Sequence, residues 1–544
     1  MTEEIKESVS QVVSDNNYNN YDIKRREALE KIDNAKFGWF HIRACIVSGV
    51  GFFTDAYDIF AINLVAVMLG YVYFGKSSLP TDTDLGVKVA TPIGTLIGQI
   101  SFGILADILG RKKMYGVELL VIVFATFSCC LVANSYVFSP TLNTFVDNSK
   151  VVSVQGIIIF WRLILGIGIG GDYPLSAVIT SEFATTSRRG AMMAAVFAMQ
   201  GIGILVAAIV STITIAAFHS TITPTDFSHI DYVWRIVTGV GAIPGVVALY
   251  FRLTIPETPR FTMDIERNVN QAAQDIDTVL TTGSYKPREQ EVVVKIEAPK
   301  ASFSDFFRHF GKWENGKVLF GTAFTWFALD VAFYGIGLNN NIILKQIGFL
   351  GDGTDPYETL FKASAGNIII ALLGTVPGYW VTVFTIDLWG RRPIQLMGFA
   401  LLTVIFIVLG FGYYPILGAS VELFIFIFTL AQFFFNFGPN TTTFVIPGEI
   451  FPTRYRSTGH GISAASGKLG AIISQVGFFK LKDIGGAPGS NAFIDHLFKI
   501  FAVFMLAGFI VTYFCVPETK NQSLESLSNE NQDGFVRDKR SADV

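Results

Sequence analysis

Long apolar runs separated by short polar loops recur along the chain and predict helices that cross a membrane. Examples are Leu119 to Val137, Val151 to Ile169 and Phe498 to Val516, each long enough to cross about 30 Å of hydrocarbon as a helix. We count about twelve such runs. They lack the alternation of apolar and polar residues that is typical of the strands of a porin-like barrel. The pattern therefore predicts an all-α membrane protein.

Basic residues cluster in alternate loops between these runs. The clusters are Arg111-Lys112-Lys113, Arg188-Arg189, Arg391-Arg392, and Arg454 with Arg456. By the positive-inside rule these loops face the cytosol, and an even number of spans then places both termini there. A long stretch of mixed charge, from about Arg252 to Lys317, separates two sets of roughly six runs.

This pattern divides the chain into five parts. We place a cytosolic N-terminal tail at residues 1–39, a six-helix bundle at 40–254, a cytosolic connector at 255–315, a second six-helix bundle at 316–516 and a cytosolic C-terminal tail at 517–544. Near the end of the connector, phenylalanines recur at helical spacing, at Phe303, Phe306, Phe307 and Phe310. This spacing fits either an amphipathic helix on the membrane surface or a helix packed against the cytosolic side of the protein.

Short patterns recur at matching places in the two halves. Asp107-Ile-Leu-Gly110-Arg111 corresponds to Asp387-Leu-Trp-Gly390-Arg391, and the spacing of Glu182, Thr186 and Arg189 recurs in Glu449, Thr453 and Arg456. Such patterns indicate two duplicated bundles, between which transporters hold their substrate. Charged groups at helix ends form contacts that one conformation makes and another breaks. We therefore predict gating roles for eight residues, Asp107, Arg111, Glu182, Arg189, Asp387, Arg391, Glu449 and Arg456.

Ionisable residues inside apolar runs are costly and are therefore functional candidates. Asp55 and Asp58 are three residues apart, which places them on one helical face. Asp172 and Tyr173 precede Pro174, which predicts a break in the helix, because proline removes a backbone donor. Arg162 either lends positive potential to a proton-binding aspartate or extends its charge to the membrane surface.

In the second half, Trp326, Asp330 and Tyr334 are each four residues apart and share one helical face. Lys468 places an ammonium group inside an apolar run, so it requires a partner, for which Asp330 is the candidate. The segment Asn436-Phe-Gly-Pro439-Asn440 predicts a second broken, polar helix.

Two of these motifs carry a resemblance to a known family. Gly103-Ile-Leu-Ala-Asp107-Ile-Leu-Gly110-Arg111-Lys112 resembles the loop signature of the major facilitator superfamily. Gly170 to Ala177, continuing through Ser181 and Glu182, resembles the signature of its phosphate:proton symporters in fungi and plants. The resemblance extends from about Lys31 to Glu525 and includes the fungal high-affinity phosphate permeases. It implies a major facilitator fold and alternating-access import of inorganic phosphate with protons across the plasma membrane.

The resemblance also implies roles for individual residues. The substrate contacts would be made by Tyr173, Gln200, Trp326, Asp330, Tyr334, Asn440 and Lys468. Proton handling would fall to Asp55 and Asp172, assisted by Asp58. Asp330 joins this group on physical grounds, because a bound anion repels a second negative charge and so favours proton uptake.

Composition narrows the function further. The chain of 544 residues is 51% hydrophobic and 16% charged, which argues against a water-soluble enzyme. A net charge of −3 without a basic patch argues against nucleic-acid binding. The four cysteines lie in or beside apolar runs, so we expect packing roles, and no motif implies a cofactor or metal. The expected partners are inorganic phosphate, protons, the lipid bilayer and cytosolic regulatory proteins on the tails and connector.

Three other functions stay open at this stage. A sugar permease is one, because Pro256-Glu257-Thr258-Pro259-Arg260 resembles a motif of sugar porters, although Asp330 and Lys468 argue against it. An organophosphate permease, for example for glycerophosphodiesters, is another. A nutrient receptor that signals occupancy is the third. An enzyme is the least favoured reading, since no nucleophile, metal cluster or cofactor motif stands out.

Overall fold

The structure, a computed structural model, describes most of the chain as helices. The described residues are 23–132, 136–139, 144–147, 152–253, 257–266, 272–273, 276, 302–350, 355–487 and 489–529. The predicted all-α membrane fold is confirmed, and a short antiparallel pair of strands, β1 (Tyr136–Ser139) and β2 (Thr144–Asp147), is its one addition within these residues.

The first half contains a surface helix followed by the first set of spans. The helices are α1 (23–33), α2 (Trp39–Phe74), α3 (Thr81–Leu109), α4 (Arg111–Cys130), α5 (Val154–Phe183), α6 (Arg189–Ala217), α7 (Ile230–Val240), α8 (Ala242–Leu253) and the short α9 (Pro259–Asp264). Together α7 and α8 form one apolar segment long enough to cross a membrane.

The second half follows the same order, again with a surface helix first. The helices are α10 (Phe303–Phe310), α11 (Trp313–Gly337), α12 (Asn340–Gln346), α13 (Pro356–Ile370), a π-helical turn (Ala371–Thr375), α14 (Val376–Trp389), α15 (Arg391–Phe411), α16 (Tyr413–Ala419), α17 (Val421–Asn436), α18 (Pro439–Ile450), α19 (Arg456–Leu481), α20 (Ile494–Cys515) and α21 (Leu524–Leu527). A 3₁₀ turn at Thr453–Tyr455 precedes α19.

Eleven segments among the described residues are long and apolar enough to cross a membrane. The helix α19 is long enough but more polar, since it carries Arg456, His460, Lys468 and Gln475, all of them buried. With α19 the structure has the predicted number of about twelve spans. The polarity of α19 is explained by its place inside the protein, where its side chains face other helices rather than lipid.

Two prolines that predict breaks behave differently. The prediction of a break at Pro174 is wrong, because α5 continues without interruption from Val154 to Phe183. A proline inside a span is tolerated where neighbouring helices satisfy the freed backbone groups. At Pro439, by contrast, the predicted break is present, and it separates α17 from α18.

Glycines bring α3 and α5 close together. A Cβ atom added to Gly166 would lie 2.2 Å from the carbonyl oxygen of Thr91, and one added to Gly170 would lie 2.4 Å from that of Thr95. The glycine-rich run in α5 therefore serves helix packing, as expected for small residues in membranes. Across the boundary between the halves, α3 packs on α19 and α6 packs on α14.

The two surface helices are held differently. In α1, the side chains of Ala28, Leu29 and Ile32 are buried against a cluster that includes Met263. In α10 no residue is buried, and Phe303 and Phe307 are the most exposed phenylalanines of the helix. The helix α10 is nevertheless attached to the protein, because Phe306 stacks edge-on against Tyr455 with ring centroids 5.4 Å apart.

Candidate functional site

A buried ion pair lies where the two halves meet. The Nζ atom of Lys468, on α19, is 2.9 Å from Oδ2 of Asp330 and 2.9 Å from the hydroxyl oxygen of Tyr334, both on α11. Both charged side chains are almost fully buried. The predicted partner of Lys468 is therefore in place. Such a pair is costly to desolvate and depends on its geometry, so removing one member leaves an uncompensated charge.

The first half contributes an aromatic and an amide group to the same centre. Lys468 Nζ lies 5.1 Å from the centroid of the Tyr173 ring, on α5, and 4.2 Å from that of Tyr334. Gln200, on α6, donates a hydrogen bond of 3.2 Å from Nε2 to the Tyr173 hydroxyl. The ammonium group therefore faces aromatic rings from both halves, an arrangement that favours a cation.

Asn440 joins this centre through a tyrosine that the sequence analysis missed. Asn440 Nδ2 donates to the Tyr379 hydroxyl at 2.8 Å, and that hydroxyl donates to Gln200 Oε1 at 3.4 Å. Tyr379 lies in an apolar span directly after Pro377 and Gly378. A single tyrosine in such a span is usually a packing residue, so the sequence around Tyr379 does not indicate a functional role.

Together these side chains form a compact polar site. All seven predicted substrate contacts are at most 3% exposed, namely Tyr173, Gln200, Trp326, Asp330, Tyr334, Asn440 and Lys468. The site offers one cation, phenolic hydroxyls and amide N–H groups, which are donors suited to a small anion rich in acceptor atoms. Trp326 closes one side and packs edge-on against His460 at 5.5 Å. The structure thus brings the whole predicted set together in a state closed to solvent.

Asp55 is a buried acid on α2. Its side chain is fully buried, and neither carboxylate oxygen has a hydrogen-bond partner within the part of the chain that the structure describes. An ionised carboxylate in such a place is very costly, so the neutral, protonated form is favoured. Asp55 is therefore suited to hold a proton.

Asp172 instead belongs to an ion cluster. Arg252 Nη2 lies 2.7 Å from Asp172 Oδ2, and Arg252 Nη1 also bonds to Glu118. A Cβ atom added to Gly51 would lie 1.6 Å from Arg252 Nη2, so only glycine at this position of α2 leaves room for the arginine. Arg252 is buried within α8, so it belongs to the packed helices rather than to the stretch of mixed charge that was counted from about this residue. Sequence analysis missed Arg252 and Glu118 because each stands near the end of an apolar run.

Asp58 and Arg162 lie on either side of a small cavity that Cys129 also lines. Asp58 Oδ2 accepts a hydrogen bond of 2.8 Å from Thr126, and Arg162 Nε donates to the carbonyl oxygen of Val87 at 2.9 Å. Arg162 is buried, so it does not extend to the membrane surface. Of its two predicted roles, the structure favours positive potential near Asp58.

The end of the protein that bears the Arg111 and Arg391 loops, here called the basic end, contains the predicted gating residues. The first group, here called the Asp107 network, comprises Asp107, Arg111, Glu182 and Arg456. Asp107 Oδ2 accepts 2.7 Å and 2.8 Å hydrogen bonds from the backbone and hydroxyl of Thr458, at the start of α19 in the other half. Glu182 Oε1 pairs with Arg456 across the same boundary at 2.8 Å.

The second group, here called the Asp387 network, comprises Asp387, Arg391, Glu449 and Arg189. Asp387 Oδ2 accepts a 2.9 Å hydrogen bond from the backbone of Ala191 across the boundary. Arg391 pairs with Glu449 of its own half at 2.7 Å. Arg189 does not bond to Glu449. It donates to the carbonyl oxygen of Gln522 at 2.8 Å and lies 3.3 Å from Asp33.

Segments near both chain ends cover this basic end. Arg260 lies 2.7 Å from Glu525 and 3.1 Å from Asp33, so it ties α21 to α1. Burial alone would raise the pKa of Glu525, but the neighbouring Arg260 and Arg456 lower it to about 2. Glu525 therefore stays ionised and bound to Arg260 at neutral pH.

The described residues contain no group of three or more His, Cys, Asp or Glu side chains placed to hold a metal ion. All four cysteines are free thiols, and Cys129 and Cys130 are buried.

Comparison with known proteins identifies relatives of this chain. The profile described as sugar (and other) transporter matches residues 44–530. The chain is 51% identical to the repressible high-affinity phosphate permease of Neurospora crassa, over 93% of this chain and 90% of the relative. It is 46% identical to the inorganic phosphate transporter PHO84 of Saccharomyces cerevisiae, over 93% and 87%.

A solved structure shares the fold. The proton:xylose symporter XylE of E. coli, bound to 6-bromo-6-deoxy-D-glucose, matches with a TM-score of 0.66 at 20% identity, over 90% of this chain and 98% of XylE. At this identity the likeness supports the fold alone.

Proposed function

Because the chain belongs to the sugar (and other) transporter family of the major facilitator superfamily, we propose that it imports inorganic phosphate together with protons. Membership makes it a membrane transporter rather than an enzyme. Its relatives in Neurospora crassa and Saccharomyces cerevisiae are a phosphate permease and an inorganic phosphate transporter, which supports phosphate as the cargo. The observation that carries the proposal is the buried Lys468–Asp330 pair between the two halves.

Phosphate binds in this proposal by joining the ion pair. Lys468 supplies the positive charge, and Tyr173, Tyr334, Gln200 and Asn440 supply hydrogen-bond donors. The hydrogen bonds among these groups in the closed site, such as that from Gln200 to Tyr173, are exchanged for bonds to the anion. A sugar would need paired donors and acceptors, and it would gain nothing from the lysine.

Protons couple to phosphate through the carboxylates. Phosphate beside Asp330 adds a second negative charge to a dry site, so binding favours protonation of this acid. By reciprocity, a proton already on Asp330 strengthens phosphate binding by the same factor. Asp55 takes up a proton next to the Asp172–Arg252 pair, and Asp58 assists from the neighbouring turn. This coupling lets a proton gradient drive phosphate accumulation.

Alternating access follows from the division of the chain. Rocking of the bundles at residues 40–254 and 316–516 would break the contacts that the Asp107 and Asp387 networks make across the boundary and so open the basic end. The positive-inside rule supports a cytosolic position for this end, the tails at 1–39 and 517–544 and the connector at 255–315. We place the protein in the plasma membrane, with cytosolic regulatory proteins as partners of the tails and connector.

Uptake of radiolabelled phosphate into proteoliposomes with an imposed inward proton gradient tests the proposal. The native protein is expected to concentrate phosphate only with the gradient. Lys468→Ala is expected to abolish uptake, because it leaves Asp330 as an uncompensated negative charge in the binding site. Lys480→Ala is the matched control, since Lys480 is an exposed lysine on the same helix α19. Gradient-driven uptake of a sugar or phosphodiester without phosphate would overturn the substrate assignment.

Asp330→Asn separates binding from coupling. Asparagine imitates the protonated acid, so this variant is expected to exchange phosphate across the membrane without accumulating it in response to the gradient. The control is Glu314→Gln, an exposed acid on the same helix α11. Gradient-driven accumulation by Asp330→Asn at the native level would exclude Asp330 from proton coupling.

A further inference from the structure

A second cavity, lined by apolar and charged side chains, lies at the end of the protein opposite the basic end. It has a volume of about 80 Å³ and spans the boundary between the halves, with Asp84 and Lys88 of α3 on one side and Asn339 and Lys345 on the other. None of these residues belongs to the central site or to the networks at the basic end. The cavity lies where substrate would enter if the protein opened at this end.

Lys88 is the central group of this cavity. It is 4% exposed, and its Nζ atom lies 3.1 Å from Asp84 Oδ2 on the same helix and 3.1 Å from Asn339 Oδ1 in the other half. Asn339 is in turn fixed by a 3.1 Å hydrogen bond to Gln475. A lysine buried this deeply is rare in a span and indicates a function.

The charges around the cavity are unbalanced in favour of an anion. Two cations, Lys88 and Lys345, line it with one carboxylate, Asp84, among the described residues. Lys345 is exposed, and its one hydrogen bond within the described residues is a 3.3 Å contact with the hydroxyl of Ser77. The hydroxyls of Ser77 and Ser78 add donors, and Asn341 Nδ2, which bonds to the Asn63 carbonyl across the boundary, becomes a further donor once the halves separate, so the lining suits an oxyanion.

Opening of this end would expose Lys88. Four hydrogen bonds among the described residues cross the boundary here: Lys88 to Asn339, Asn63 to the Gly337 carbonyl at 2.6 Å, Asn341 to the Asn63 carbonyl at 2.6 Å, and Lys345 to Ser77. Separation of the halves must break all four, and of the two hydrogen-bond partners of Lys88 it leaves Asp84. An anion arriving from solvent then takes the position of Asn339 on the ammonium group.

We propose that Lys88 and Lys345 form an outer binding site, which captures the phosphate ion before it reaches Lys468. The site rests on the proposed function, since phosphate is taken as the cargo. Two positive charges at the mouth of a narrow path raise the local anion concentration and so the rate of association. Once phosphate moves inward, Lys88 rebinds Asn339 and the end closes behind it.

The test compares kcat/KM for phosphate uptake among charge variants in the proteoliposome assay. Lys88→Gln, which keeps a donor for Asn339 but loses the charge, is expected to raise KM about tenfold at low ionic strength with little change in kcat. Lys88→Arg is expected to retain the native KM. Lys362→Gln is the matched control, because Lys362 is an exposed lysine on α13, which also contributes Thr359 to the cavity.

A double variant distinguishes capture from mere neutralisation of Asp84. If Lys88 only balances the carboxylate, Asp84→Asn in the Lys88→Gln background restores the native KM, and the outer site is excluded. If Lys88 captures the anion, the double variant keeps the high KM and Asp84→Asn alone leaves KM unchanged or lower. A native KM in Lys88→Gln, or a loss confined to kcat, also overturns the site.

The wild-type protein separates this inference from the proposed function. Absence of phosphate uptake by the wild type overturns the proposed function and the outer site with it. Normal wild-type uptake combined with a native KM in Lys88→Gln overturns the outer site alone.

Discussion

The Asp107 and Asp387 networks are built from matching residues, but they hold different parts of the protein together. In the Asp107 network, Glu182 pairs with Arg456 of the other half at 2.8 Å. In the Asp387 network, the equivalent Glu449 pairs with Arg391 of its own half at 2.7 Å. The arginine that matches Arg456, Arg189, bonds to Gln522 and Asp33 instead. The pairs that Arg111 makes with Asp107 and Glu182 recur in those of Arg391, but the partners of Arg456 and Arg189 differ, so duplication of a sequence pattern duplicates only part of its contacts.

The difference has a physical cause in the flanking segments. Residues near both chain ends, α1 and α21, pack at the basic end and supply acceptors that draw Arg189 and Arg260 away from the half boundary. Thr519 donates a 2.5 Å hydrogen bond to Glu449, which holds this carboxylate within its own half. We infer that the Asp107 network locks the two halves, whereas the Asp387 network stabilises the second half and anchors the tail.

The largest expected effect comes from removing the two glutamates in turn. Glu182→Gln removes the direct ion-pair partner of Arg456 and leaves only the more distant Glu525. This loss counts only while the basic end is closed, because opening releases Arg456 to water. The closed state is expected to lose about 3 kcal/mol, a change of about 150-fold in the ratio of closed to open protein. Double electron–electron resonance between spin labels at the exposed Lys113 and Ser304 should then show a larger fraction of long distances.

Glu449→Gln is expected to act on stability instead. Arg391 stays buried in the same half whether the basic end is open or closed. Because Arg391 keeps Asp387 as a partner at 2.9 Å, the loss of Glu449 is expected to cost up to about 3 kcal/mol in both states. The melting temperature in detergent should fall, with the label distances unchanged. If both variants shift the distances equally, the division of roles between the two networks is wrong.

A smaller effect is expected from the two aspartates. Asp107 accepts three hydrogen bonds from Ser457 and Thr458 across the boundary, whereas Asp387 accepts one from Ala191. Asn at either position keeps a hydrogen-bond acceptor but removes a negative charge that faces the N-terminus of a helix in the other half, α19 for Asp107 and α6 for Asp387. The closed state is expected to lose about 0.3–2 kcal/mol. Asp107→Asn should therefore open the basic end more than Asp387→Asn in the same distance measurement.

The matched control for these variants is Asp82→Asn, because Asp82 is exposed in the first turn of α3 at the opposite end. An equal response to Asp107→Asn and Asp387→Asn would show that the number of hydrogen bonds across the boundary does not set the strength of the lock.

Sequence reasoning was sufficient where the cost of an isolated charge dictates a partner. Lys468 lies inside an apolar run, so a nearby acid was required. Asp330 was the candidate because it is an acid inside another apolar run of the same half. The structure places them 2.9 Å apart. The spans and the repeated motifs were equally visible, because hydrophobic length and register are local properties of the chain.

Sequence reasoning failed where the partner of a side chain depends on which helices pack against each other. Arg252 stands at the end of an apolar run and was counted as the start of the stretch of mixed charge, yet it is buried against Asp172. Only the approach of α8 to α2 and α5, permitted by Gly51, makes this place available. Tyr379 was missed for the same reason, since its contacts to Gln200 and Asn440 come from two other helices. Arg189 contacts Gln522 and Asp33 rather than Glu449 because segments near both chain ends pack beside it, and no short sequence motif indicates this packing.

The smallest expected effect is a difference between the two surface helices, α1 and α10, in how firmly each stays docked as the pH falls. His309 in α10 is half-buried, and burial lowers its pKa to about 4, with Arg454 adding to the shift. Since the pKa of an unbound histidine is about 6.5, detached α10 binds more protons than docked α10 below that pH, so docking weakens as the pH falls from 7 toward 4.

Hydrogen exchange measures this difference within one molecule. Between pH 7 and pH 5, after correction for the intrinsic rate, the amides of α10 should lose about two- to tenfold in protection, since solvent screens a half-exposed group. The helix α1 is the internal reference, because residues 23–33 contain no histidine and Glu525, which ties α21 to Arg260 beside α1, keeps its charge with a pKa of about 2. His309→Asn should abolish the change in α10. Equal loss in both helices would mean that acidification loosens the whole basic end rather than α10 through His309.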